Sequence, residues 1–525
     1  MTSIVVRDGT AYLTVTDPEL SEKITDATSF KPQGIEFTGI RGDGRIRLVR
    51  NNKAPVGLLD RICRVIVTHG DTPQISYANT EQKPKPRVAM RLYGVELRDY
   101  QEELELVVAI NQRGIIRAPT GSGKTLMAAQ IAVVTGMHTV IIVPTIDLLR
   151  QTRDYLAEYL AIDEWPFGTE HQLFDTQNRG KWRIGRLGDG VVDPQPVTVA
   201  TIRTIAKVLD VAYERYKYAE YDDSDDTDVD RGQLRDWVDS LGTVVVDEAH
   251  QLGARVLYDT VSSIPAPNKY GMSASPWRDD GADLMIEAAT GPCIFHVTCK
   301  RLVESGYLMA PEIHVIDTSR WWTSAAWGQT CKNCKRQWLT WTKECYCGSR
   351  SFQSQYDESY KKEIVENPIY NLQIGLLAQQ WYRPGFPVMV LVKQVRHGKQ
   401  LAQVLDGLEV PSAFLSGKDT GTHRQQVLDD LRADRLHAVA LTTIGDMGLD
   451  VPNLGALILA GGGKSSTRHL QRIGRAVRPW PGKPTPVVID PDVSHVHNWY
   501  GNHAARRRQI EIAEWQDAGA MWIQE

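Results

Sequence analysis

The segment Ala118-Pro119-Thr120-Gly121-Ser122-Gly123-Lys124-Thr125 has the residue types and the spacing of a phosphate-binding loop. Its glycines allow consecutive backbone N–H groups to point at a polyphosphate, and the helix that follows adds the positive end of its dipole. Lys124 is placed to reach the β- and γ-phosphates, and Thr125 to ligate Mg²⁺. An ordinary Gly/Ser turn is the alternative for this segment alone. The pattern therefore predicts an anion site built mainly from backbone.

Two adjacent carboxylates, Asp247 and Glu248, follow the apolar run Thr243-Val244-Val245-Val246. A buried parallel strand presents its carboxyl end at the ligand-binding edge of a sheet, so both acids are expected there. Asp247 would hold Mg²⁺, Glu248 would orient and deprotonate an attacking water, and His250 would sense the γ-phosphate. Acids at a helix N-terminus are the alternative for this pair. That alternative does not explain why the pair lies downstream of a phosphate loop.

Two arginines, Arg475 and Arg478, lie three residues apart in Gln471-Arg472-Ile473-Gly474-Arg475-Ala476-Val477-Arg478. On a helix this spacing puts both guanidinium groups on one face, which suits convergence on one anion. We therefore predict that they stabilise the transferring phosphoryl group. Because they fall in a second lobe, hydrolysis would require two lobes to close. A solvated arginine-rich face is the alternative.

The elements that must position these groups form two series of apolar strand candidates separated by helix candidates. Near-continuous Val/Ile runs of this kind are typical of parallel sheets that are buried on both faces. The candidates are residues 114–117, 139–143, 197–200, 243–246, 387–392, 437–442 and 456–460. The fold class is therefore α/β, with two parallel-sheet lobes.

The chain of 525 residues is too long for one hydrophobic core, so several domains are expected. Short β-patterned runs and helix-like stretches predict a small α+β domain over residues 1–88. The two lobes would cover residues 89–297 and 298–492, and residues 493–525 would form a helical tail.

Composition limits the class of protein. Apolar residues make up 42% and charged residues 24% of the chain, as in soluble globular proteins, and no apolar run has the length of a membrane span. We therefore expect a cytoplasmic monomer without a membrane partner. The net charge of -4 means that any nucleic-acid binding must come from a local basic face.

Four of the seven cysteines form two close pairs, in Cys331-Lys332-Asn333-Cys334 and Cys345-Tyr346-Cys347. Two such pairs can supply four thiolates to one tetrahedral ion, and Zn²⁺ is the usual occupant in a reducing compartment. We predict a structural zinc-ribbon-like insertion at about residues 326–352, near the start of the second lobe. Free structural thiols are the alternative.

Together these segments resemble the motifs of superfamily 2 helicases, and they occur in the order found in that family. The matching segments are Leu97-Arg98-Asp99-Tyr100-Gln101, 118–125, Val143-Pro144-Thr145, Ala200-Thr201-Ile202, 247–250, Met272-Ser273-Ala274-Ser275-Pro276, 443–450 and 471–478. They span nearly three quarters of the chain, and an accidental ordered series of this length is negligible.

The resemblance implies two RecA-like lobes with ATP in the cleft and nucleic acid across their tops. Besides the phosphate loop, the residues expected around ATP are Arg98, Gln101, His250, Gly448, Asp450 and Gln471. Small residues expected near the phosphate backbone of the nucleic acid are Pro144, Thr145, Thr201 and Thr443. Ser273 and Ser275 would link the state of the nucleotide to the bound strand.

The segment Arg475-Ala476-Val477-Arg478-Pro479 looks more like the XPB, RecG-like and UvsW-like DNA group than like RNA helicases. The resemblance implies an ATP- and Mg²⁺-dependent DNA helicase or translocase that unwinds or branch-migrates forked and branched DNA in replication, recombination or repair. The resemblance also implies that the small domain over residues 1–88 is a DNA-binding or accessory domain. Partners of the protein would be branched or forked duplexes and single strands, with DNA-RNA hybrids as a further possibility. Two alternatives stay open: a duplex translocase that does not separate strands, and an ATP-switched nucleic-acid sensor that acts on RNA.

Overall fold

A computed structural model gives the architecture of the chain. It describes residues 2–31, 43–78, 85–164, 183–211, 231–250, 254–274, 282–321, 329–331, 333–334, 337–338, 345–348, 352–353, 359–442, 451–461, 473–474, 476–496 and 498–524. The chain divides into two compact units, residues 1–297 and residues 298–525. No helix among the described residues is long and apolar enough to cross a membrane.

The first unit contains sixteen strands and nine α-helices within its described residues. The strands are β1 Thr2–Arg7, β2 Thr10–Thr14, β3 Ser29–Phe30, β4 Ile46–Arg47, β5 Lys53–Pro55, β6 Pro73–Tyr77, β7 Ala89–Leu92, β8 Arg113–Arg117, β9 Thr139–Val143, β10 Leu160–Glu164, β11 Gly185–Gly188, β12 Val191–Asp193, β13 Val197–Thr201, β14 Thr243–Val246, β15 Asn268–Ser273 and β16 Cys293–His296. The helices are α1 Pro18–Ala27, α2 Leu59–Thr68, α3 Asp99–Ile110, α4 Lys124–Thr135, α5 Ile146–Tyr159, α6 Ile202–Val208, α7 Arg231–Ser240, α8 Ala254–Ser263 and α9 Asp283–Thr290.

An eight-stranded sheet in the order β12-β11-β13-β9-β14-β15-β8-β16 forms the centre of this unit. All its neighbouring strands are parallel except the pair β11 and β12. Every residue of β9, β13, β14 and β15 is buried, which is the pattern expected when helices cover both faces. The predicted α/β lobe is confirmed, and the carboxyl ends of β8, β14 and β15 lie side by side at one edge.

A separate four-stranded sheet, β5-β2-β1-β6, lies near the start of the chain. Its apolar face packs against α1 and α2, and the same core includes Leu284, Met285 and Ala288 of α9. The 3₁₀ helix Val56–Leu58 and α2 form the contact with α9, where the guanidinium group of Arg61 donates to both carboxylate oxygens of Glu287. This α+β module is therefore joined to the first lobe by a shared apolar core.

The second unit contains ten strands and five α-helices within its described residues. The strands are β17 Glu312–Asp317, β18 Gln329–Cys331, β19 Gln337–Trp338, β20 Phe352–Gln353, β21 Val388–Leu391, β22 Ser412–Leu415, β23 Ala438–Leu441, β24 Ala456–Ile458, β25 Val487–Asp492 and β26 Met521–Gln524. The α-helices are α10 Cys299–Glu304, α11 Pro368–Trp381, α12 Val395–Gly407, α13 Gly421–Arg432 and α14 Asn498–Trp515, and Tyr360–Val365 is a π-helix.

A seven-stranded sheet in the order β22-β23-β21-β24-β25-β17-β26 forms the core of the second unit, and every pair in it is parallel. The expectation of a purely helical tail over residues 493–525 is wrong in one respect. After α14 the chain turns at Gly519 and adds β26 beside β17, with Met521 opposite Glu312. The unpaired edge of β17 offers backbone partners that local helical propensity does not reveal.

A small three-stranded antiparallel sheet, β19-β18-β20, carries the cysteine-rich segment. It lies in sequence between β17 and the π-helix, within the predicted insertion. Because these strands have only two or three residues each, they can bury little apolar surface by themselves.

Candidate nucleotide-binding site

The phosphate loop connects the end of β8 to the beginning of α4. Gly121 and Gly123 have φ values of 89° and 79°, a left-handed conformation that glycine adopts without the steric cost of a side chain. Helix α4 begins at Lys124, directly after Gly123, so its unpaired N–H groups face the loop. The local backbone thus has the form that an anion site at a helix N-terminus requires.

Three residues before and at the beginning of α3 hold this loop in place. Arg98 donates to the Gly121 carbonyl at 3.2 Å, the Tyr100 hydroxyl to the Ser122 carbonyl at 2.8 Å, and the Gln101 amide to the same carbonyl at 3.2 Å. Tyr100 and Gln101 are fully buried. The contact of Arg98 and Gln101 with ATP stays a prediction, whereas their contact with the phosphate loop is a feature of the fold.

Sequence reasoning did not assign a role to Tyr100. Its hydroxyl also accepts a hydrogen bond from Arg98 at 2.7 Å, so it lies at the centre of this network. An aromatic residue between Arg98 and Gln101 in the first turn of α3 was the available signal.

Lys124 of the phosphate loop lies close to the acidic pair at the carboxyl edge of the sheet. Lys124 Nζ lies 3.4 Å from Glu248 Oε1, and both side chains are largely buried. Lys124 also lies within 3.5 Å of the Ala118 carbonyl. Residues separated by more than a hundred positions in sequence thus form one charged cluster, as the strand order β14-β15-β8 requires.

Asp247 follows β14 directly and is 5% exposed. Burial, together with the charge of Glu248, raises the pKa of Asp247 to about 7, although Lys124 acts in the opposite direction. Its Oδ1 atom accepts a hydrogen bond from the Glu248 N–H at 2.9 Å. Two buried carboxylates beside one ammonium group are short of positive charge, which is the electrostatic condition for binding a divalent cation.

Glu248 has φ = 49°, a left-handed conformation that is uncommon for a residue with a side chain. The surrounding sheet and loop must hold this conformation against its steric cost, which is of the order of 1 kcal/mol or more. The Glu248 carboxylate lies between Lys124 and His250, whose Nδ1 is 3.5 Å from Glu248 Oε2.

Ser273, the last residue of β15, contacts both halves of the site. Its carbonyl accepts a hydrogen bond from the Ala118 N–H at 3.0 Å, and its hydroxyl lies 2.7 Å from His250 Nδ1. Strand β15 lies between β8 and β14 in the sheet, which explains how one residue reaches both neighbours. Ser273 therefore connects the phosphate loop to His250, and its role in linking the state of the nucleotide to a bound strand stays a prediction.

The residues present fit Mg²⁺ and a triphosphate. Oxygen donors of the kind that Mg²⁺ prefers come from Asp247 and Thr125, and the loop supplies backbone N–H donors for phosphate. Within residues 85–164, Thr120 Oγ1 is buried and makes no hydrogen bond, so this hydroxyl is available to a ligand. The donor set therefore fits a bound nucleotide.

Thr145 and Thr201, predicted to contact a nucleic-acid backbone, are both buried helix caps. Thr145 Oγ1 accepts from the Leu148 N–H at 3.3 Å, and Thr201 Oγ1 accepts from the Thr204 N–H at 3.2 Å. Together with Pro144 they follow β9 and end β13 at the same sheet edge as the phosphate loop. Contact with DNA stays a prediction for all three.

In the second unit the structure describes Arg478, which is half-buried just after the short helical segment 473–474 and 476. Six other predicted site residues, namely Ser275, Thr443, Gly448, Asp450, Gln471 and Arg475, lie outside the described residues. Their assigned roles therefore stay predictions, as does the meeting of Arg478 with the phosphate loop.

Three of the four predicted zinc ligands come together. The Sγ atoms of Cys334, Cys345 and Cys347 all lie within 4.8 Å of one another, and those of Cys334 and Cys345 are 3.5 Å apart. Sulfur atoms bound to one tetrahedral Zn²⁺ lie at about 2.3 Å from the ion, so this spacing fits a shared ion. Cys331, the fourth predicted ligand, is the last residue of β18 in the same small sheet.

Two family descriptions match this chain. The family described as "Type III restriction enzyme, res subunit" matches residues 94–278, and "Helicase conserved C-terminal domain" matches residues 371–479. The two matches together cover more than half of the chain. They lie in separate units, one around the phosphate loop and the acidic pair and the other around the arginine segment.

Curated relatives include the "ATP-dependent DNA helicase uvsW" of Enterobacteria phage T4. It is 23% identical over 492 residues, which cover 89% of this chain and 86% of the relative. The "DNA 3'-5' translocase XPB2" of Sulfurisphaera tokodaii is 23% identical over 406 residues, covering 73% and 79%. The chain spans only about half the length of other curated relatives, with 51% and 52% covered in two of them.

Among solved structures, a fragment of a putative HsdR subunit of a type I restriction enzyme from Vibrio vulnificus YJ016 is similar in fold. Its TM-score is 0.51 at 14% identity, and the match covers 91% of this chain and 76% of that fragment. At this identity the likeness supports the α/β fold alone. With the two family matches, the relatives and the geometry of the site, the chain belongs to the superfamily 2 helicases of the UvsW and XPB type.

Proposed function

We propose that this chain is an ATP-dependent DNA helicase or translocase that remodels forked and branched DNA. The observation that carries the proposal is the buried cluster in which Lys124 lies 3.4 Å from Glu248, beside Asp247 and the phosphate loop. The matched helicase families imply the use of ATP and Mg²⁺. Relatives described as DNA helicases and translocases support DNA as the partner.

The residues of the site divide the work of ATP hydrolysis among them. The phosphate loop and Lys124 bind the β- and γ-phosphates, while Asp247 and Thr125 would hold Mg²⁺. When bound, Mg²⁺ supplies positive charge that stabilises the phosphates and neutralises the acidic pair. Glu248 accepts the proton of the attacking water, and an anion on Lys124 weakens its ion pair with Glu248.

Arg475 and Arg478 would complete the site from the second unit by stabilising charge in the transition state. His250 contacts Ser273, the last residue of β15, which lies between β14 and β8 in the sheet. Loss of the γ-phosphate near His250 would therefore change the contacts at the end of β15. Closing and reopening of the two units would then move the protein along DNA.

Finer points of the proposal rest on the sequence. They are a preference for branched over plain duplex DNA, action on DNA-RNA hybrids, a monomeric state, a cytoplasmic location and a structural Zn²⁺ held by Cys331, Cys334, Cys345 and Cys347. A duplex translocase is the second candidate, because the XPB2 relative is described as a translocase. Strand-displacement and four-way-junction assays separate it from a helicase, since a pure translocase hydrolyses ATP without releasing a strand.

The Lys124→Ala variant tests the proposed nucleotide site. We expect DNA-stimulated ATP hydrolysis to fall at least about a hundredfold, because the lysine charge next to the phosphates is lost. Steady-state hydrolysis with and without a forked DNA substrate is the measurement, and circular dichroism checks the fold. Lys300→Ala, which removes a half-exposed lysine of the second unit, is the control and should retain wild-type turnover. DNA-stimulated hydrolysis that survives in Lys124→Ala would contradict the assigned site.

A further inference from the structure

Lys483 is a buried lysine just after the arginine segment. The chain makes a turn from Trp480 to Lys483. A hydrogen bond from the Lys483 N–H to the Trp480 carbonyl, at 3.0 Å, closes this turn. The side chain is 8% exposed. Its Nζ donates to the carbonyls of Ala476 at 2.6 Å, Arg478 at 2.8 Å and Pro452 at 3.0 Å.

We propose that Lys483 is a positioning residue for Arg478, which it holds in place by fixing the backbone on both sides of the last turn of the arginine segment. The inference rests on the proposed function, since it gives Arg478 a task in ATP hydrolysis. Lys483 lies outside the segments that resemble helicase motifs, the last of which ends at Arg478.

The hydrogen bonds match the donors and acceptors one to one. An ammonium group has three N–H donors, and here each one meets a different carbonyl. Carbonyls at the end of a helix have no partner within the helix, and they carry the negative end of its dipole, so a cation there is favourable. The Val477 carbonyl accepts from the Met309 N–H at 2.8 Å. Three successive carbonyls, those of residues 476 to 478, are therefore all fixed.

The third acceptor of Lys483 Nζ, the Pro452 carbonyl, belongs to a different part of the chain. Pro452 follows the segment 443–450, which resembles the helicase motif that contacts nucleic acid and nucleotide. Lys483 therefore connects Pro452, which follows that segment in the chain, to the end of the arginine segment. A side chain that reaches a transition state must be placed to within about 1 Å, since a misplacement of that size can lower the rate about a hundredfold.

Stability by itself does not explain a charged group in this position. Burial and the nearby charge of Arg478 lower the pKa of Lys483 to about 7. Burying the charged form of Lys483 therefore costs free energy, and the three carbonyl acceptors offset part of that cost. Fixing the backbone that carries Arg478 is a role that accounts for keeping a lysine at this buried position.

A double-mutant cycle with Lys483→Met and Arg478→Ala tests the inference. Methionine keeps most of the apolar stem of lysine but lacks the terminal amino group, so it removes all three donors. We expect kcat for DNA-stimulated ATP hydrolysis to fall about a hundredfold in Lys483→Met, with less than about a threefold change in KM for ATP, because a positioning residue for Arg478 acts in the transition state. The double variant should be no slower than Arg478→Ala alone, since the two residues act through one guanidinium group.

Three comparisons make the outcome decisive. Lys483→Arg, which keeps several donors, should recover part of the lost kcat, and Lys399→Met, at an exposed lysine of α12, should keep wild-type turnover. If Lys483→Met does not fold, as judged by circular dichroism, the same cycle is run with Lys483→Gln. Losses that multiply in the double variant, or a rise in KM with unchanged kcat, would overturn the inference. An Arg478→Ala variant with normal turnover would instead refute the role of Arg478 in the proposed function.

Discussion

At the scale of single residues, the acidic pair lowers the stability of the fold, because the carboxylate of Asp247 is buried. Asp247 is buried beside Glu248, and its pKa is raised to about 7. Between about pH 4 and pH 7 the folded chain therefore holds a proton that the unfolded chain has released. Stability falls as pH rises through this window, and above it the full cost of burying the charge remains. Proteins commonly retain such unfavourable groups where a ligand will compensate for them.

We predict that Asp247→Asn stabilises the metal-free protein at pH 8. Asparagine keeps the oxygen that accepts from the Glu248 N–H but removes the buried charge. The expected gain is about 1 to 4 kcal/mol, because one pKa unit corresponds to about 1.4 kcal/mol. Thermal unfolding in EDTA measures it, and the gain should shrink toward pH 4. ATP hydrolysis should be lost in the same variant.

The control for this prediction is Asp239→Asn, since Asp239 is an exposed acid of α7. Its melting temperature should follow the wild type across the same pH range. If Asp247→Asn melts below the wild type at pH 8 without metal, the assignment of Asp247 as an uncompensated buried charge is wrong.

At the scale of elements, the cysteine-rich sheet is too small for an apolar core of its own to stabilise it. Strands β18, β19 and β20 are two or three residues long, yet they bring three Sγ atoms within 4.8 Å of one another. Asn333 Nδ2 lies 3.8 Å from Cys347 Sγ, a contact of the kind that stabilises a thiolate bound to metal. A bound ion would replace the missing apolar core.

We predict about one Zn²⁺ per chain in protein purified without chelator, measured by elemental mass spectrometry. Cys334→Ser and Cys347→Ser should each lower this content well below one after dialysis against a mild chelator, because a thiolate ligand is lost. Cys293→Ser is the matched control, since Cys293 is exposed and lies outside the cluster. Full zinc content in both cluster variants would show that these thiols are not ligands.

At the scale of the whole molecule, the first unit is assembled from two modules that share one core. The contact is close at Gly57, where an added Cβ would lie 2.3 Å from the Glu287 carbonyl oxygen and 2.5 Å from that of Ala288. These are backbone atoms of α9, so they have little freedom to move aside. Helix α9 is the next described element after β15, the strand that ends at Ser273 in the candidate site. The small α+β module therefore packs against a helix that follows a strand of this site.

Gly57→Ala tests this assembly. We expect it to lower the free energy of unfolding by about 1 to 3 kcal/mol, because a methyl group must be forced against two backbone carbonyls. Thermal unfolding measures the loss, and limited proteolysis should release a fragment containing β1 to β6 sooner than in the wild type. Gly407→Ala, at a helical glycine with open space around it, should neither lower the melting temperature nor speed release of the fragment. Wild-type behaviour of Gly57→Ala would mean that the two modules are not held by this contact.

Local patterns in the sequence determined much of this protein. The phosphate loop was predictable because its glycines and lysine are adjacent in the chain, and the acidic pair because it directly follows an apolar strand. Runs of Val and Ile likewise indicated β9, β13 and β14. A strand that is buried on both faces favours apolar residues at successive positions, so it is visible in the sequence. Family resemblance supplied the order of the motifs.

The tertiary structure alone decided which of these groups touch. Ser273 reaches both His250 and Ala118 because β15 lies between β14 and β8, and strand order depends on how distant segments pack. The three bonds of Lys483 and the pairing of β26 with β17 are likewise set by distant backbone, which no local pattern encodes. Side-chain type and spacing predict what a residue is able to do, whereas its partners depend on the packing of the whole chain.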